Sequence, residues 1–304
     1  MNVFQGIDAL PAFASKTVVS VGVFDGVHRG HQAVIGRVVD LANQYHCPSG
    51  VITFRFPPKM QPDDPSPLIT SLDHRLLLFE RLGLDFVCIL DFNSAVSMIP
   101  APAFVETVLV GRLNIAAIVA GSDNRFGYRG EGGIDLLREL SRTYGYVVEA
   151  IDRPAGDAAV SSSAIRAAIR AGDIATAENL LGRPVSVYGT VVKGDGRGRT
   201  LGYPTANIDV GPEVRLPLGV YSTVVILNDG RQLAAVTNIG YRPTFVPPPD
   251  GRFSAPLIET HILDFSADIY GQKVEALSLK KISDELTFQT RDDLGRKNQR
   301  IGRG

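Results

Sequence analysis

The chain has 304 residues, of which 44% are hydrophobic and 21% charged, and its formal net charge is -1 from 31 basic and 32 acidic side chains. This is the balance of an ordinary globular protein, and the length exceeds what one hydrophobic core usually serves, so two domains are expected. The near-neutral charge excludes the broad basic surface on which binding of nucleic acid or an anionic membrane depends, so neither is expected as a partner.

Cysteine content and the start of the chain indicate a cytoplasmic protein. Cys47 and Cys88, the two cysteines, are far apart in sequence and lack metal-ligand spacing. A disulfide framework or a zinc site is therefore not expected, and a reducing compartment fits. The opening stretch MNVFQGIDALPAF has no basic segment followed by a long apolar core, so no signal peptide is predicted, and no apolar run is long enough to span a bilayer.

The first half of the chain alternates short apolar runs with segments of helical periodicity. Such alternation predicts a parallel sheet covered by helices on both faces. The predicted strands are TVVSVGVF, GVITF, DFVCIL, IAAIVAG and YVVEAI, and the helices between them are GHQAVIGRVVDLANQY, LDHRLLLFERLG, PAFVETVLVGRLN and GIDLLRELSRTYG. Two short helical patterns follow, SSAIRAAIRAG and DIATAENLLG, each ending in a glycine that suits a helix C-cap.

From Pro184 onward the pattern becomes rich in strands separated by turn signals. This composition predicts a small antiparallel barrel or sandwich. The predicted strands are VSVYGTVVKG, GVYSTVVIL, QLAAVTNIG, LIETHILDF and VEALSLKKI. A boundary at about Gly182–Pro184 gives an α/β domain over residues 1–182 and a β-rich domain over residues 183–304.

The first candidate site is the stretch GVFDGVHRGHQ, which connects the first predicted strand to the first predicted helix. In open parallel sheets this connection lies at the carboxyl edge, where ligands bind. Its glycines let the backbone approach a ligand closely, and the start of the following helix favours anions. His28 and His31 are one helical turn apart and can face the same phosphate, where imidazole donors stabilise oxygens that gain charge.

Two alternatives for this histidine pair follow from the residues alone. Two surface histidines beside a tight turn would give the same pattern without any function. A zinc site is disfavoured because no third ligand lies nearby in the sequence.

The stretch GVFDGVHRGHQ resembles the nucleotide-binding motif of the HIGH-type nucleotidyltransferases, and closely that of the adenylyltransferase domain of bacterial bifunctional riboflavin kinase/FAD synthetases. AGSDNRFGYRG resembles the segment that this family places beside its nucleotide and flavin, and VSSSAIR resembles its Ser-Ser-Thr-x-Ile-Arg motif, which closes on the ATP phosphates. Read without the resemblance, SSS is an ordinary helix N-cap. The resemblance implies catalytic roles for His28 and His31, ATP contacts for Gly22, Phe24, Asp25, Gly30, Ser161, Ser162 and Arg166, and flavin contacts for Asp123 and Asn124.

Two departures from the family pattern affect the same domain. After the second strand the family usually reads Asp-Pro-His-Pro, whereas this chain reads Arg55-Phe56-Pro57-Pro58. Asn124 stands where an aromatic residue is common. Both changes bear on how flavin or ATP is positioned.

The second candidate site is the stretch KGDGRGRTLGYPTANI, residues 193–208. Its glycines present many N–H groups, and Lys193, Arg197 and Arg199 add positive charge, which suits a nucleotide phosphate chain. It is not a Walker A loop. Thr205 and Asn207 alternate along one strand face, so their oxygens converge, and hard oxygen ligands suit Mg²⁺. The alternative is a flexible basic loop followed by an ordinary strand.

This stretch resembles the riboflavin kinase signature, which continues in family order through LPLGVYSTVV, VTNIGYRPTF and IETHILDF. The resemblance spans about Val18 to Phe288. It implies that Glu259 is the general base, that Thr205 and Asn207 hold Mg²⁺, and that ATP and flavin contact Gly194, Gly196, Arg199, Gly202 and Pro204. His261 is interpreted as structural. Ser283 stands where arginine is common, and the usual long final helix is replaced by RDDLGRKNQRIGRG.

The resemblance implies an α/β fold with a Rossmann-like nucleotidyltransferase domain and an antiparallel β-barrel riboflavin kinase domain. The expected chemistry is phosphorylation of riboflavin by ATP to FMN, then adenylylation of FMN by a second ATP to FAD, with Mg²⁺. The expected partners are the small-molecule substrates, and the expected state is a monomer or weak homo-oligomer. Two alternatives remain open: retention of only one activity, or a flavin- or nucleotide-binding sensor without turnover.

Overall fold

The computed structural model of the chain describes residues 1–58, 68–152, 160–194, 204–241 and 256–284. The chain divides into two compact units. The first comprises Met1–Ala164 with Leu180–Gly182, and the second comprises Ile165–Asn179 with the chain from Arg183 onward. The expected domain boundary between residues 182 and 183 stays a prediction.

The first unit is built on a six-stranded sheet in the order β1-β4-β3-β2-β5-β6, in which every pairing is parallel. The five predicted strands are confirmed as β2 to β6, and β1 adds an edge strand that the sequence did not predict. The strands are β1 Asn2–Gln5, β2 Thr17–Val21, β3 Ser49–Phe54, β4 Phe86–Leu90, β5 Ile115–Gly121 and β6 Val147–Ile151.

Helices cover both faces of this sheet, as the sequence predicts. They are α1 Arg29–Tyr45, α2 Leu72–Arg81, α3 Ser94–Ser97, α4 Ala101–Phe104 and α5 Ile134–Tyr144, with a π-helical segment Val105–Val110 and 3₁₀ turns Ile7–Ala9 and Tyr128–Gly130. Successive residues of β2 point to opposite faces, so that Val18 packs against the core beside α1 and α2, and Val19 packs against the core beside α4 and α5. Burial on both faces accounts for the unbroken apolar run TVVSV.

The second unit contains a closed six-stranded barrel in the order β10-β11-β8-β7-β12-β9, in which every pairing is antiparallel. The sequence predicted a barrel or a sandwich, and the structure shows a barrel. The strands are β7 Val185–Val192, β8 Ala206–Asp209, β9 Gly219–Ile226, β10 Gln232–Gly240, β11 Leu257–Ile262 and β12 Lys273–Ser283. The two short helices are α6 Ser162–Ala171 and α7 Ile174–Leu181.

Strand alternation places one set of side chains inside the barrel. Along β9 every second residue from Gly219 is buried. The interior includes a row of three threonines, in which the hydroxyl of Thr237 lies 2.9 Å from those of both Thr223 and Thr260. Among the described residues, no helix combines the length and apolar character needed to cross a membrane.

Candidate active sites

The first site is built on the turn that joins β2 to α1 at the carboxyl edge of the parallel sheet. Three of its residues have left-handed backbone conformations: φ is 54° at Phe24, 82° at Gly26 and 40° at Val27. A left-handed β-branched valine is rarely tolerated, so surrounding contacts must hold this backbone in place. Gly26 also has no room for a side chain, since a Cβ would lie 2.8 Å from a methyl group of Ile69.

Asp25 braces the turn from inside. Its side chain is only 2% exposed, and Oδ1 accepts hydrogen bonds from the backbone N–H groups of Ile69 at 2.9 Å and Thr70 at 3.1 Å. The backbone N–H of Gly26 in turn donates to the Thr70 hydroxyl at 2.9 Å. The carboxylate that the family resemblance places beside ATP therefore fixes the shape of the turn through the segment before α2.

His28 and His31 stack on each other at the start of α1. Their ring centroids are 3.6 Å apart with an interplanar angle of 18°, and the His31 backbone N–H donates to Nδ1 of His28 at 3.4 Å, which makes His28 the N-cap. His28 is 8% exposed, so the alternative of two surface histidines is wrong. Within the described part of the chain, no group of three His, Cys, Asp or Glu side chains that could hold a metal ion is found.

His31 is electrostatically unusual. Its Nδ1 atom is buried without a hydrogen-bond partner in the described part of the chain, and the ring of Phe24 packs edge-on against it at 5.2 Å. Burial lowers the pKa of His31 well below its ordinary value, and the charges of His28 and Arg75 lower this pKa further. The imidazole is therefore neutral at physiological pH, with one ring nitrogen not engaged by the described protein.

Arg75 of α2 was not predicted from the sequence as a site residue, although it is only 1% exposed and reaches the same strand ends. Its guanidinium donates to the backbone carbonyls of Val23, Phe54 and Arg55 at 2.7 to 2.9 Å. A signal for it is present in LDHRLLLFE. Arg75 lies at helical spacing from the apolar Leu78 and Phe79, which indicates that this cation is on the buried face of the helix.

The serine motif at the start of α6 makes two different contacts. Ser162 Oγ donates to the backbone carbonyl of Asp25 at 3.1 Å, which ties the motif to the turn after β2. Ser161 Oγ accepts from the Ala164 backbone N–H at 3.2 Å, so the N-cap interpretation of this serine is confirmed. Arg166 lies one helical turn beyond Ser162, on the part of α6 that belongs to the second compact unit.

The segment after β5 reaches the same edge of the sheet. Asn124 Nδ2 donates to the backbone carbonyl of Val21 at the end of β2, at 3.0 Å, and its own backbone N–H donates to Gly121 at 2.9 Å. The amide that replaces an aromatic residue is therefore used to join the ends of β5 and β2. Asp123 precedes it in the same turn.

Arg55 of the departing motif Arg55-Phe56-Pro57-Pro58 has a structural partner. Its guanidinium contacts Asp91 Oδ1 at 2.7 Å and Gln5 Oε1 at 2.9 Å, linking the segments that follow β3 and β4 to the last residue of β1. Phe56 is 49% exposed at this edge. The segment replacing Asp-Pro-His-Pro thus offers a cation and an apolar surface where the family offers a carboxylate and an imidazole.

The second site lies on the outer face of the barrel. In the strand register Glu259 of β11 is directly opposite Asn207 of β8 on one side and Asn238 of β10 on the other. Directly opposed residues have Cβ atoms about 5 Å apart and point to the same face. The structure therefore brings Glu259 and Asn207 together, and adds Asn238, which sequence reasoning missed. Thr205 immediately precedes β8.

Gly194 packs tightly onto this row of polar side chains. A Cβ at residue 194 would overlap the amide group of Asn207, so only glycine allows the backbone this close. His261 Nδ1 lies 2.8 Å from the carbonyl of Pro204, a contact that fits the predicted structural role. Gly196, Arg197, Arg199 and Gly202 lie outside the described residues, as does the tail that replaces the usual final helix. The Ser283 hydroxyl is buried without a partner in the part of the chain that is described.

The fold and both sites define a class of protein: a parallel nucleotide-binding sheet with a histidine turn, followed in one chain by a closed barrel with a carboxylate between two asparagines. The family model for FAD synthetase matches residues 10–164, and the model for riboflavin kinase matches residues 181–300. The chain belongs to the bifunctional riboflavin kinase/FMN adenylyltransferase family.

Relatives with that description match nearly the whole chain. The protein of Haemophilus influenzae is 34% identical over 97% of this chain and 94% of its own length, and that of Escherichia coli K12 is 33% identical over 97% and 93%. The Bacillus subtilis protein is 35% identical over 90% of this chain and 86% of its own. A crystal structure described as a macrolide-efflux protein from Streptococcus pneumoniae is 29% identical with a TM-score of 0.81, covering 99% of this chain and 97% of that one. Efflux is a description of that protein only.

Proposed function

We propose that this chain catalyses both flavin reactions of its family. In the first, ATP phosphorylates riboflavin to give FMN and ADP. In the second, FMN takes the adenylyl group of another ATP to give FAD and pyrophosphate. The observation that carries this proposal is the match of both family models, in order, to the two parts of one chain. The stacking of His28 on His31 and the pairing of Glu259 with Asn207 support it.

In the kinase step Glu259 acts as general base. It takes the proton of the ribityl 5′-hydroxyl while that oxygen attacks the γ-phosphorus of ATP, and ADP leaves. The half-buried carboxylate is flanked by the neutral side chains of Asn207 and Asn238. ATP and riboflavin contact the loop that includes Gly194, Gly196, Arg199, Gly202 and Pro204.

The residues beside Glu259 fit a magnesium ion. The Asn207 amide oxygen and the Thr205 hydroxyl are hard oxygen donors, and Mg²⁺ commonly takes few protein ligands and completes its shell with phosphates and water. Gly194, packed against the Asn207 amide, limits the positions that this side chain can adopt. Thr205 and Asn207 would hold the ion, which when bound neutralises charge on the ATP phosphates.

In the adenylyl transfer step an oxygen of the FMN phosphate attacks the α-phosphorus of ATP, and pyrophosphate leaves. His28 and His31 face the phosphorus centre and stabilise its oxygens, which requires no covalent enzyme intermediate. Because His31 is neutral, it can donate one N–H to a phosphate oxygen without adding positive charge to the site. Gly22, Phe24, Asp25, Gly30, Ser161, Ser162 and Arg166 form the ATP site, and Asp123 and Asn124 the flavin side.

The cellular setting follows from the substrates. ATP and FMN are cytoplasmic small molecules, and Cys47 and Cys88 are both free thiols, which fits a reducing cytoplasm. A monomer or weak homo-oligomer would suffice, because each proposed site is made by one chain.

The proposal is tested by incubating the protein with riboflavin and ATP·Mg²⁺ and separating the flavins by chromatography. We expect FMN to appear first and FAD to accumulate from it. H28N should stop the reaction at FMN, and E259Q should make FAD only when FMN is supplied. H261Q, next to Glu259 on β11, is the matched control and should make both products. A protein that binds flavin but forms neither FMN nor FAD would be a sensor, and the proposal would be wrong.

A further inference from the structure

We propose that Arg75 is a positioning residue for adenylyl transfer, which fixes the carboxyl ends of β2 and β3 beneath the histidine turn. The inference rests on the function proposed above for that turn. It concerns a side chain of α2 that belongs to no motif of the sequence and contacts the backbone of the turn.

The contacts of Arg75 are concentrated on two strand ends. Nη1 donates to the carbonyl of Val23 at 2.8 Å and that of Phe54 at 2.9 Å, and Nη2 donates to the carbonyl of Arg55 at 2.7 Å. Nη1 also lies 3.3 Å from the hydroxyl of Thr53, which itself donates to Val23 at 3.1 Å. One planar group therefore joins the residue between Gly22 and Phe24 to the end of β3.

Stability alone is a poor explanation for this arrangement. The acceptors of Arg75 are neutral, its Nε is buried without a partner in the described residues, and burial lowers its pKa to about 10 even though the charge of Asp25 raises it. A buried cation that contacts only neutral acceptors is costly to desolvate, and this cost opposes the stability gained from its hydrogen bonds. The guanidinium is still charged at neutral pH.

The position of Val23 explains what the contact achieves. Val23 lies between Gly22 and the left-handed Phe24, whose ring packs against His31. A shift of the Val23 carbonyl would move the turn and the imidazole together. A misplacement of about 1 Å in a catalytic site can reduce the rate by about 10²-fold.

The test compares R75K and R75M with wild type in both activities of the same chain. We expect kcat for FAD formation from FMN to fall by about 10²-fold in R75M and by a smaller factor in R75K, with KM for ATP changed less. Riboflavin phosphorylation, which is proposed for the other compact unit, should be unchanged. Wild-type hydrogen-exchange protection of the β2 amides would show that the first unit is folded in both variants. R81M, at the exposed end of the same helix, is the matched control and should leave both activities unchanged.

A second readout separates positioning from simple packing. The groups that act on the His31 pKa are His28 and Arg75, and Asp25 acts on Arg75. Removing the cation in R75M should raise the titration midpoint of the His31 ring, followed by NMR and assigned with H31Q. R75K keeps the charge and should leave that midpoint close to wild type.

Three results would overturn the inference: an unchanged kcat for FAD formation in R75M or R75K, a loss of β2 amide protection in R75K that accompanies its loss of FAD formation, or a His31 midpoint that does not respond to R75M. The second result would make Arg75 a folding residue only. Failure of the proposed function is distinguishable, because the wild-type chain would then form no FAD from FMN, or H28N would still form it, whatever the Arg75 variants do.

Discussion

The neutral state of His31 links the stability of the first unit to pH. The folded pKa lies below the ordinary value of 6.5, so below pH 6.5 the unfolded chain binds a proton that the folded chain does not. Above pH 6.5 the ring is neutral in both states and His31 does not make stability depend on pH. Below pH 6.5 the free energy of unfolding falls as the pH drops toward the folded pKa. Between pH 7.0 and 5.5 we expect a loss of about 1 kcal/mol, measured as the opening free energy of β2 amides by hydrogen exchange.

H31Q is the comparison for this measurement. It removes the titrating ring, so the difference in opening free energy between wild type and H31Q should grow as the pH falls. The chemical exchange rate of the β2 amides is the same in both proteins and does not contribute to this difference. H261Q lies on the barrel and should behave like wild type. A wild-type opening free energy that is flat from pH 7.0 to 5.5 would show that His31 is not held neutral.

Several residues of the proposed sites have signals in the sequence that are local. His28, His31 and Gly26 stand together in a strand-to-helix turn, and Glu259 and Asn207 each occur in a recognisable stretch. The residues that were missed act through long-range contacts. Arg75 reaches Val23 across 52 residues of sequence, and its role depends on which strands are neighbours, which periodicity does not reveal.

Among the elements, the barrel wall contains a buried chain of hydroxyls whose energetics can be tested. T237V removes the central member and leaves the hydroxyls of Thr223 and Thr260 each without its observed partner inside the barrel. We expect a loss of about 2 kcal/mol in the opening free energy of β9 and β10 amides, because unsatisfied buried polar groups cost more than a hydrogen bond contributes.

The triple variant T223V/T237V/T260V sharpens this expectation. Replacing all three hydroxyls by methyl groups of the same shape leaves no orphaned partner, so the triple variant should be more stable than T237V alone. V225A removes apolar atoms from the buried face of β9 without affecting a hydroxyl. It shows how far the opening free energy of the β9 and β10 amides falls for a loss of packing alone. A triple variant as unstable as the sum of three single losses would contradict the account.

Element prediction succeeded where periodicity is strong and failed where it is weak. GVYSTVVI alternates buried and partly buried positions along its whole length, and the predicted strand is confirmed as β9. NVFQ is short and mostly exposed, so β1 has little apolar signal, and it is a strand because it pairs with β4 at the sheet edge. PAFVETVLVGRLN was predicted as one helix, whereas the structure changes from α-helix to π-helix at Val105.

At the scale of the whole molecule, the histidine pair proposed for adenylyl transfer lies in the first compact unit, and Glu259, proposed for the kinase step, lies in the second. Each unit has its own hydrophobic interior, and the two activities should therefore be lost separately. The product of the barrel, FMN, is the substrate proposed for the parallel-sheet unit. A chain impaired at one site should then be able to exchange FMN through solution with a chain impaired at the other.

Mixing H28N and E259Q tests this directly. H28N should convert riboflavin to FMN and stop, while E259Q should leave riboflavin unchanged and convert added FMN to FAD. Together, with riboflavin and ATP·Mg²⁺, they should form FAD after a lag in which FMN accumulates, and the lag should shorten as E259Q is increased. The double variant H28N/E259Q, added in place of E259Q, should leave the reaction at FMN. If E259Q alone forms FAD from riboflavin, Glu259 is not the base. If each variant performs its own step but the mixture forms no FAD, FMN is not released into solution.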